Sequence, residues 1–352
     1  MIPSRLDCGR LTSLLLFAGC LCLFQEAWAS ESGVGKKPHK RTLKDGTVYE
    51  GTLKLFRPEG NGRAEYANGD VYEGEWKKNQ RQGSGVCTYA DGGVYDGHWS
   101  DDEREGEGEM LYPSGAVYRG AWRNDMKDGK GVLLWIDGSY YKGEWSQGVR
   151  HGAGTMFWSD SIQYRGNWKN GKRHGIGEFK AGSYHYQGSW KNDMPDGQAV
   201  CTFESGDSYE GNFSNGLMSG EGVYRYANGD VYEGHFREGM ADGKGVFTWV
   251  DGSVYEGSWK DNMRDGKGTM TWANGDSYTG SWKDDMPEGD GVVEQSNGST
   301  FKGSFVNGLT HGKGTISEAD GTTLQGEFED GRRVGTFTVR DKDGKRIGTV
   351  NY

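Results

Sequence analysis

A tyrosine returns every 23 residues through most of the chain, and few folds can accept that spacing. Tyr49, Tyr72, Tyr95, Tyr118, Tyr141 and Tyr164 hold the interval. After one 22-residue step Tyr186, Tyr209, Tyr232, Tyr255 and Tyr278 resume it, and Phe301 and Leu324 occupy the same place. Glycine stands two positions after each of these thirteen markers, from Gly51 to Gly326. Four positions after, eight units carry Trp, from Trp76 to Trp282, and Leu53, Phe213, Phe236, Phe305 and Phe328 fill the other five. Such a period marks a stacked array whose single units cannot bury an apolar side alone.

The spacing within a unit reads as strand. In Val71-Tyr72-Glu73-Gly74-Glu75-Trp76, residues 72, 74 and 76 share one face, and Val71, Glu73 and Glu75 form a mostly polar opposite face. The glycine between two rings lets a neighbouring aromatic lie over the backbone. A linker such as 77–82 leads to Gly83-Ser84-Gly85 and a second strand that ends in another aromatic, for example Tyr66, Tyr89 or Trp249. Asn68-Gly69, Asp91-Gly92 and their equivalents then predict a tight hairpin turn with positive φ. Hairpins are marginal alone, so successive units must stack and share a buried aromatic layer. Composition agrees: aromatics make up 13% of the chain, too many for a disordered one. The 62 glycines lack the period of three of collagen, and no apolar run reaches the length of a membrane helix.

The pattern Tyr-x-Gly-x-Trp followed by Gly-x-Gly, with phrases such as 230–236 and 242–245, resembles the MORN (membrane occupation and recognition nexus) repeat over residues 45–340. The resemblance implies an all-β chain: an elongated, single-layer antiparallel meander of about thirteen stacked hairpins. At roughly 4.8 Å per strand, twenty-six strands would span on the order of 125 Å. It also implies proximity to membranes and, in some members, phosphoinositide binding. Irregular units at 159–161, 181–183 and 197–199 predict a bend or change of twist between about 159 and 199.

The ends differ from the array. Arg5 and Arg10, the apolar run Leu11–Phe24 and Ala27-Trp28-Ala29 form the parts of a secretory signal peptide over 1–29, cleaved before Ser30. Lipidation at Cys20, within Phe17-Ala18-Gly19-Cys20, or a retained leader as membrane anchor are the alternatives. Residues 30–44 read as a basic linker and 341–352 as a C-terminal tail. Cys87 and Cys201 lie in distant units, so no disulfide between them is expected. Asn212 and Asn297 fit the N-glycosylation pattern.

No catalytic constellation is legible, and a non-enzymatic chain without cofactor or metal is expected. Gly129-Lys130-Gly131 lacks the Ser/Thr of a phosphate loop, and His151, His174 and His311 read as turn residues. A net charge of −10, concentrated in the array, argues against nucleic acid as partner. Against that background Arg119, Lys142, Arg150, Arg165, Lys169, Lys172, Arg173 and Lys180 make a local basic excess, a candidate patch for an anionic partner. Arg119, Lys142 and Arg165 each follow a marker Tyr, where units 1–3 and 8–10 have Asp or Glu, and should line up on the polar face. The leading expectation is a scaffold rod for protein partners near membranes, dimerising through a terminal unit. The alternative is a phospholipid-binding tether using the 142–180 patch. Glycan recognition by aromatic rows requires exposed rings, whereas burial is expected.

Overall fold

Side chains that alternate between large rings and charges, punctuated by glycine, favour strands joined by short turns, and every regular element among the described residues is a strand. A computed structural model describes residues 38–352. The described residues divide into two compact units, 38–102 and 103–352. The first holds the strands from His39–Thr42 to Val94–Ser100, and the second those from Glu103–Leu111 to Arg346–Asn351. Within each unit successive strands pair antiparallel. The signal-peptide expectation lies outside the described residues. In the segment read as a linker, His39–Thr42 is a strand paired with Val48–Lys54. Within the segment read as a tail, Arg346–Asn351 pairs with Arg332–Arg340.

The core is a ladder of rings on one face. Tyr72 is fully buried and Trp76 is 6% exposed. Trp76 sits edge-on between Tyr49 and Tyr72, with ring centroids 5.4 and 5.2 Å apart. In the second unit Trp259 stands likewise between Tyr232 and Tyr255. Each such contact contributes about 0.5–1.5 kcal/mol beyond the area it buries. The rings also satisfy their polar atoms: the Tyr72 hydroxyl donates to Glu75 O at 3.0 Å, and Trp76 Nε1 donates to Gly62 O at 3.0 Å. A Cβ at Gly85 would lie 2.2 Å from the Tyr72 hydroxyl oxygen, so in this geometry the ring crosses the backbone only over glycine. Burial pushes the Tyr49 and Tyr255 hydroxyls up to about 12.

The Asn-Gly hairpin turns are present, with Gly69 at the expected positive φ of 93°, but they are not the tighter of the two hairpin ends. The segment read as a linker is the tight turn: strand Gln80–Thr88 begins two residues after Val71–Lys77, and Lys78 and Asn79 both have positive φ, 54° and 76°. The Asn-Gly pair sits instead in a five-residue loop, where Tyr66 N donates to Asp70 O and Gly69 N to Tyr66 O. Where that loop is kept, the second aromatic therefore opens it rather than ending the strand, whereas Trp158 lies within the strand Val149–Ser159. Asp70 then accepts from Ala90 N of the next loop at 2.8 Å. His151, His174 and His311, read as turn residues, lie within strands. Their Gly-x-Gly step bulges the strand, with register shifting between Gly143 and Glu144 and between Gly303 and Ser304.

The irregular segment is where the loops disappear. Ser159 pairs with Ile162 across Asp160-Ser161, and Ala181 with Tyr184 across Gly182-Ser183, two-residue turns in place of the longer loop.

Candidate functional site: the face opposite the rings

The ring face is closed to ligands along the ladder, because the marker tyrosines are 0–2% exposed and the tryptophans between them 3–8%. Glycan recognition by those rings is thereby overturned. Trp158, Tyr226 and Trp272, from the second aromatic set, are about 40% exposed.

A cation caps many of the tryptophans at the tight-turn edge. The Arg81 guanidinium lies 4.0 Å over the Trp99 ring, its Nε donates to Asp102 Oδ1 at 3.2 Å, and its Nη2 donates to Asp102 O. Arg264, Trp282 and Asp285 repeat this in the second unit. The carboxylate comes from the second turn residue, in the left-handed region that Asp tolerates. Sequence reading missed these clamps because their members stand 18 and 21 residues apart; only the recurrence of Arg after the turn signals them.

Two of the eight candidate cations belong to this structural class. Arg150 lies 4.3 Å over Trp168, and Arg173 lies 4.2 Å over Trp190 while pairing with Asp193 at 3.3 Å. Two more face carboxylates: Arg119 pairs with Glu109, and Lys180 with Glu178 at 2.8 Å. Lys180 and His185 together hold the Glu178 carboxyl below the usual range. Lys169 and Lys172 flank the Asn170-Gly171 turn as a register pair. Lys142 and Arg165 are exposed on the polar face, each opposite Thr155. The eight residues are thus shared between the clamp edge, the hairpin end and the polar face rather than gathered in one cluster.

On the polar face the register sets residues in a line. Arg119, Val132, Lys142, Thr155 and Arg165 are successive cross-strand partners. The same line continues through Glu210, Val223, Glu233, Val246, Glu256, Thr269, Thr279, Val292 and Lys302. Its later part floors a groove of about 1440 Å³, walled by Glu221, Lys244, Lys267, Asp290, Ser304 and Lys313. Carboxylates predominate toward the Glu221 end and ammonium groups toward the Lys313 end. The line was legible from the position after each marker; the groove was not, because it depends on how the sheet curves. Among the described residues no group of His, Cys, Asp and Glu is arranged to hold a metal ion.

Known proteins place the repeat. The MORN repeat family profile matches twelve consecutive stretches from residues 49–71 to 301–323. A search of curated proteins finds no match. Among solved structures, the TCP10 domain of Danio rerio CPAP, in complex with a peptide of Danio rerio STIL, is 10% identical, covers 90% of this chain and 100% of its own, and has a TM-score of 0.18. The Drosophila melanogaster SAS-4 TCP domain, with a proline-rich motif of Ana2, is 12% identical over 63% of this chain and 90% of its own, TM-score 0.17. A streptogramin B lyase is 11% identical over 84% and 91%, TM-score 0.14. At these scores none of the three informs the function. The repeat profile, the Tyr–Trp ladder and the glycines beneath it agree along most of the chain, which belongs to the MORN-repeat family.

Proposed function

We propose that the protein is a non-enzymatic scaffold that docks extended partner segments on the face opposite its rings. The groove between Glu221 and Gln325 carries this reading. It joins exposed charges of both signs to the small apolar contacts of Val246 and Val292, while the ring face has satisfied itself. Opposite charge at the two ends favours a partner whose own charge is split along its length. The test is anisotropy of a labelled 16-residue peptide with lysines in one half and glutamates in the other, against a peptide of the same composition in alternating order. The split peptide is expected to bind the full chain more tightly, and Glu233→Gln/Glu256→Gln/Lys302→Gln to remove that preference. Equal binding of both peptides, or an unchanged preference in the variant, contradicts the reading. Saturable turnover of a small molecule by the purified protein would contradict its non-enzymatic part.

A second reading, attachment to anionic phospholipid, is favoured by Lys142 and Arg165, both exposed on one face with only Thr155 between them. Pelleting with phosphatidylserine vesicles should fall in Lys142→Glu/Arg165→Glu; pelleting that is unaffected by the reversal ends it. The leader motif over 1–29 supports an extracytoplasmic location after cleavage before Ser30, which the N-terminal mass of the protein from its own host tests. Arg346–Asn351 pairs on one side only among the described residues, which supports dimerisation through that edge. Light scattering that gives a monomer at high concentration ends this.

A further inference from the structure

Arg150 is a clamp cation without its carboxylate. At four other clamps the second turn residue is Asp102, Asp125, Asp193 or Asp285, and its carboxylate meets the arginine Nε. The Arg150 clamp keeps the two bonds of these to backbone oxygen: Gly171 N donates to Arg150 O at 2.9 Å, and Arg150 Nη2 donates to Gly171 O at 3.0 Å. Glycine at 171 supplies no side chain, and a Cβ there would meet nothing within 4 Å. The same clamp borders the unit whose loop is replaced by Asp160-Ser161. There Trp158 and Ile162, 40% and 38% exposed, form with Trp168 and Phe179 an open notch of about 410 Å³ whose remaining walls are Arg150, Arg173 and Asp193.

Arg173 and Asp193 face Arg150 across this notch but are already joined to each other. A half-buried guanidinium that keeps its aromatic seat yet lacks an anion is an incomplete site, since such charge is stabilised by pairing. Burial also draws the Arg150 guanidinium below its ordinary value. We propose that this notch binds a partner peptide segment that places a carboxylate on Arg150 and an adjacent apolar side chain against Trp158, Ile162 and Phe179. The carboxylate takes the position that Asp occupies in the other clamps, and the volume suits one or two side chains. Lys127 over Trp145 also faces a glycine, Gly148, but the unit beside it retains the five-residue loop from Trp135 to Ser139. The site lies apart from the polar-face groove, so either can fail without the other.

The substitution Gly171→Asp supplies the missing carboxylate from the chain itself, at a φ of +80°, close to the 63–73° of the other clamp aspartates. The full chain, labelled with 5-fluorotryptophan and with the Trp158 signal assigned by Trp158→Phe, is titrated with Ac-Ala-Glu-Phe-Leu-Ala-NH2 and its Gln counterpart. The Glu peptide is expected to shift the Trp158 signal saturably and at least tenfold more tightly than the Gln peptide. Gly171→Asp should abolish that shift while raising the melting temperature. No shift up to the solubility limit, equal binding of the two peptides, or undiminished binding by Gly171→Asp overturns the proposal. So does 3-phenylpropionate binding as tightly as the Glu peptide, which would assign the notch to small aromatic carboxylates.

Discussion

Between Tyr209 and Ser299 the units repeat with little change, whereas between Val149 and Phe203 they have lost some ties and kept others. In the regular stretch each loop is fastened to the next by a side chain: Asp207 accepts from Ala227 N, Asp230 from Val250 N, and Asp276 from Ser296 N. In the interrupted stretch the turns at 160–161 and 182–183 leave no such carboxylate, and one backbone bond, Gly182 N to Ser161 O, takes its place. Ala199 also stands where the ladder has glycine, opposite Gly188. Tyr186 meets Trp190 at 72° and 4.8 Å, against 84–90° and about 5.1–5.2 Å in most units, so the ring tilts to admit the methyl group. What persists in both stretches is the tyrosine hydroxyl bonded to the backbone three residues on, as at Tyr164, Tyr186, Tyr232 and Tyr255. The array tolerates losing a loop or a glycine here, but both stretches keep the ring that seals its own strand.

Trp259→Ala and Trp158→Ala should separate the two regions most. Trp259, 8% exposed between two tyrosines and bonded to Gly245 O, is expected to cost about 3–5 kcal/mol. Trp158 is 40% exposed, and its removal should cost less than about 2 kcal/mol. Urea midpoints of the two variants compare them, and equal losses would mean that Trp158 is as much core as Trp259.

Next comes the glycine floor. A Cβ at Gly245 would stand 2.4 Å from the Tyr232 hydroxyl oxygen, so Gly245→Ala should cost about 1–3 kcal/mol. Ala199→Gly, where the ring has already tilted, should change stability by less than about 1 kcal/mol. Thermal melts of both variants check this, and a Gly245→Ala variant as stable as the parent would show that ring tilt is freely available everywhere.

The clamps give a smaller contrast. Asp285→Ala should lose about 0.5–1 kcal/mol, discounted because the carboxylate is nearly half exposed. Gly171→Asp, by completing the clamp in the interrupted stretch, should gain a similar amount in the same melts.

The loop ties supply the smallest effect. Bonds from Ala227 N and Ser296 N hold the Asp207 and Asp276 carboxyls below their ordinary range. A depressed value means that the stabilisation is present above about pH 4 and is lost as pH falls through the lowered value. Amide exchange at Ala227 and Ser296, corrected for its intrinsic pH dependence, should accelerate on acidification, with no counterpart at Ser161 or Ser183.

The ring ladder was readable because strand periodicity puts Tyr, Gly and Trp of one unit on one face without reference to any other. Its partners across units were readable too, since an unbroken 23-residue period sets the register that places Arg119, Lys142 and Arg165 in line. The turns were misread because Asn-Gly favours positive φ in loops of more than one length, while Lys78-Asn79 gives a weak local signal for the tight turn it forms. The basic patch was not resolved into its parts because sequence shows charge but not its partner. Asp193 and Trp190 lie 20 and 17 residues beyond Arg173, and Trp168 lies 18 beyond Arg150.

The tyrosines are the buried core, and their burial leaves binding to the polar face and to the notch at Trp158. An alkaline titration that follows tyrosinate absorbance and far-ultraviolet circular dichroism together tests it directly. Burial raises the folded value of these hydroxyls above their unfolded value near 10, so the stabilisation is complete below about pH 10 and is lost as pH rises through the folded value. The expected result is that most of the rise in absorbance comes in one cooperative step, at about pH 12, coincident with loss of the strand signal. A gradual rise centred near pH 10, with the strand signal intact, would show tyrosines open to solvent and contradict the account.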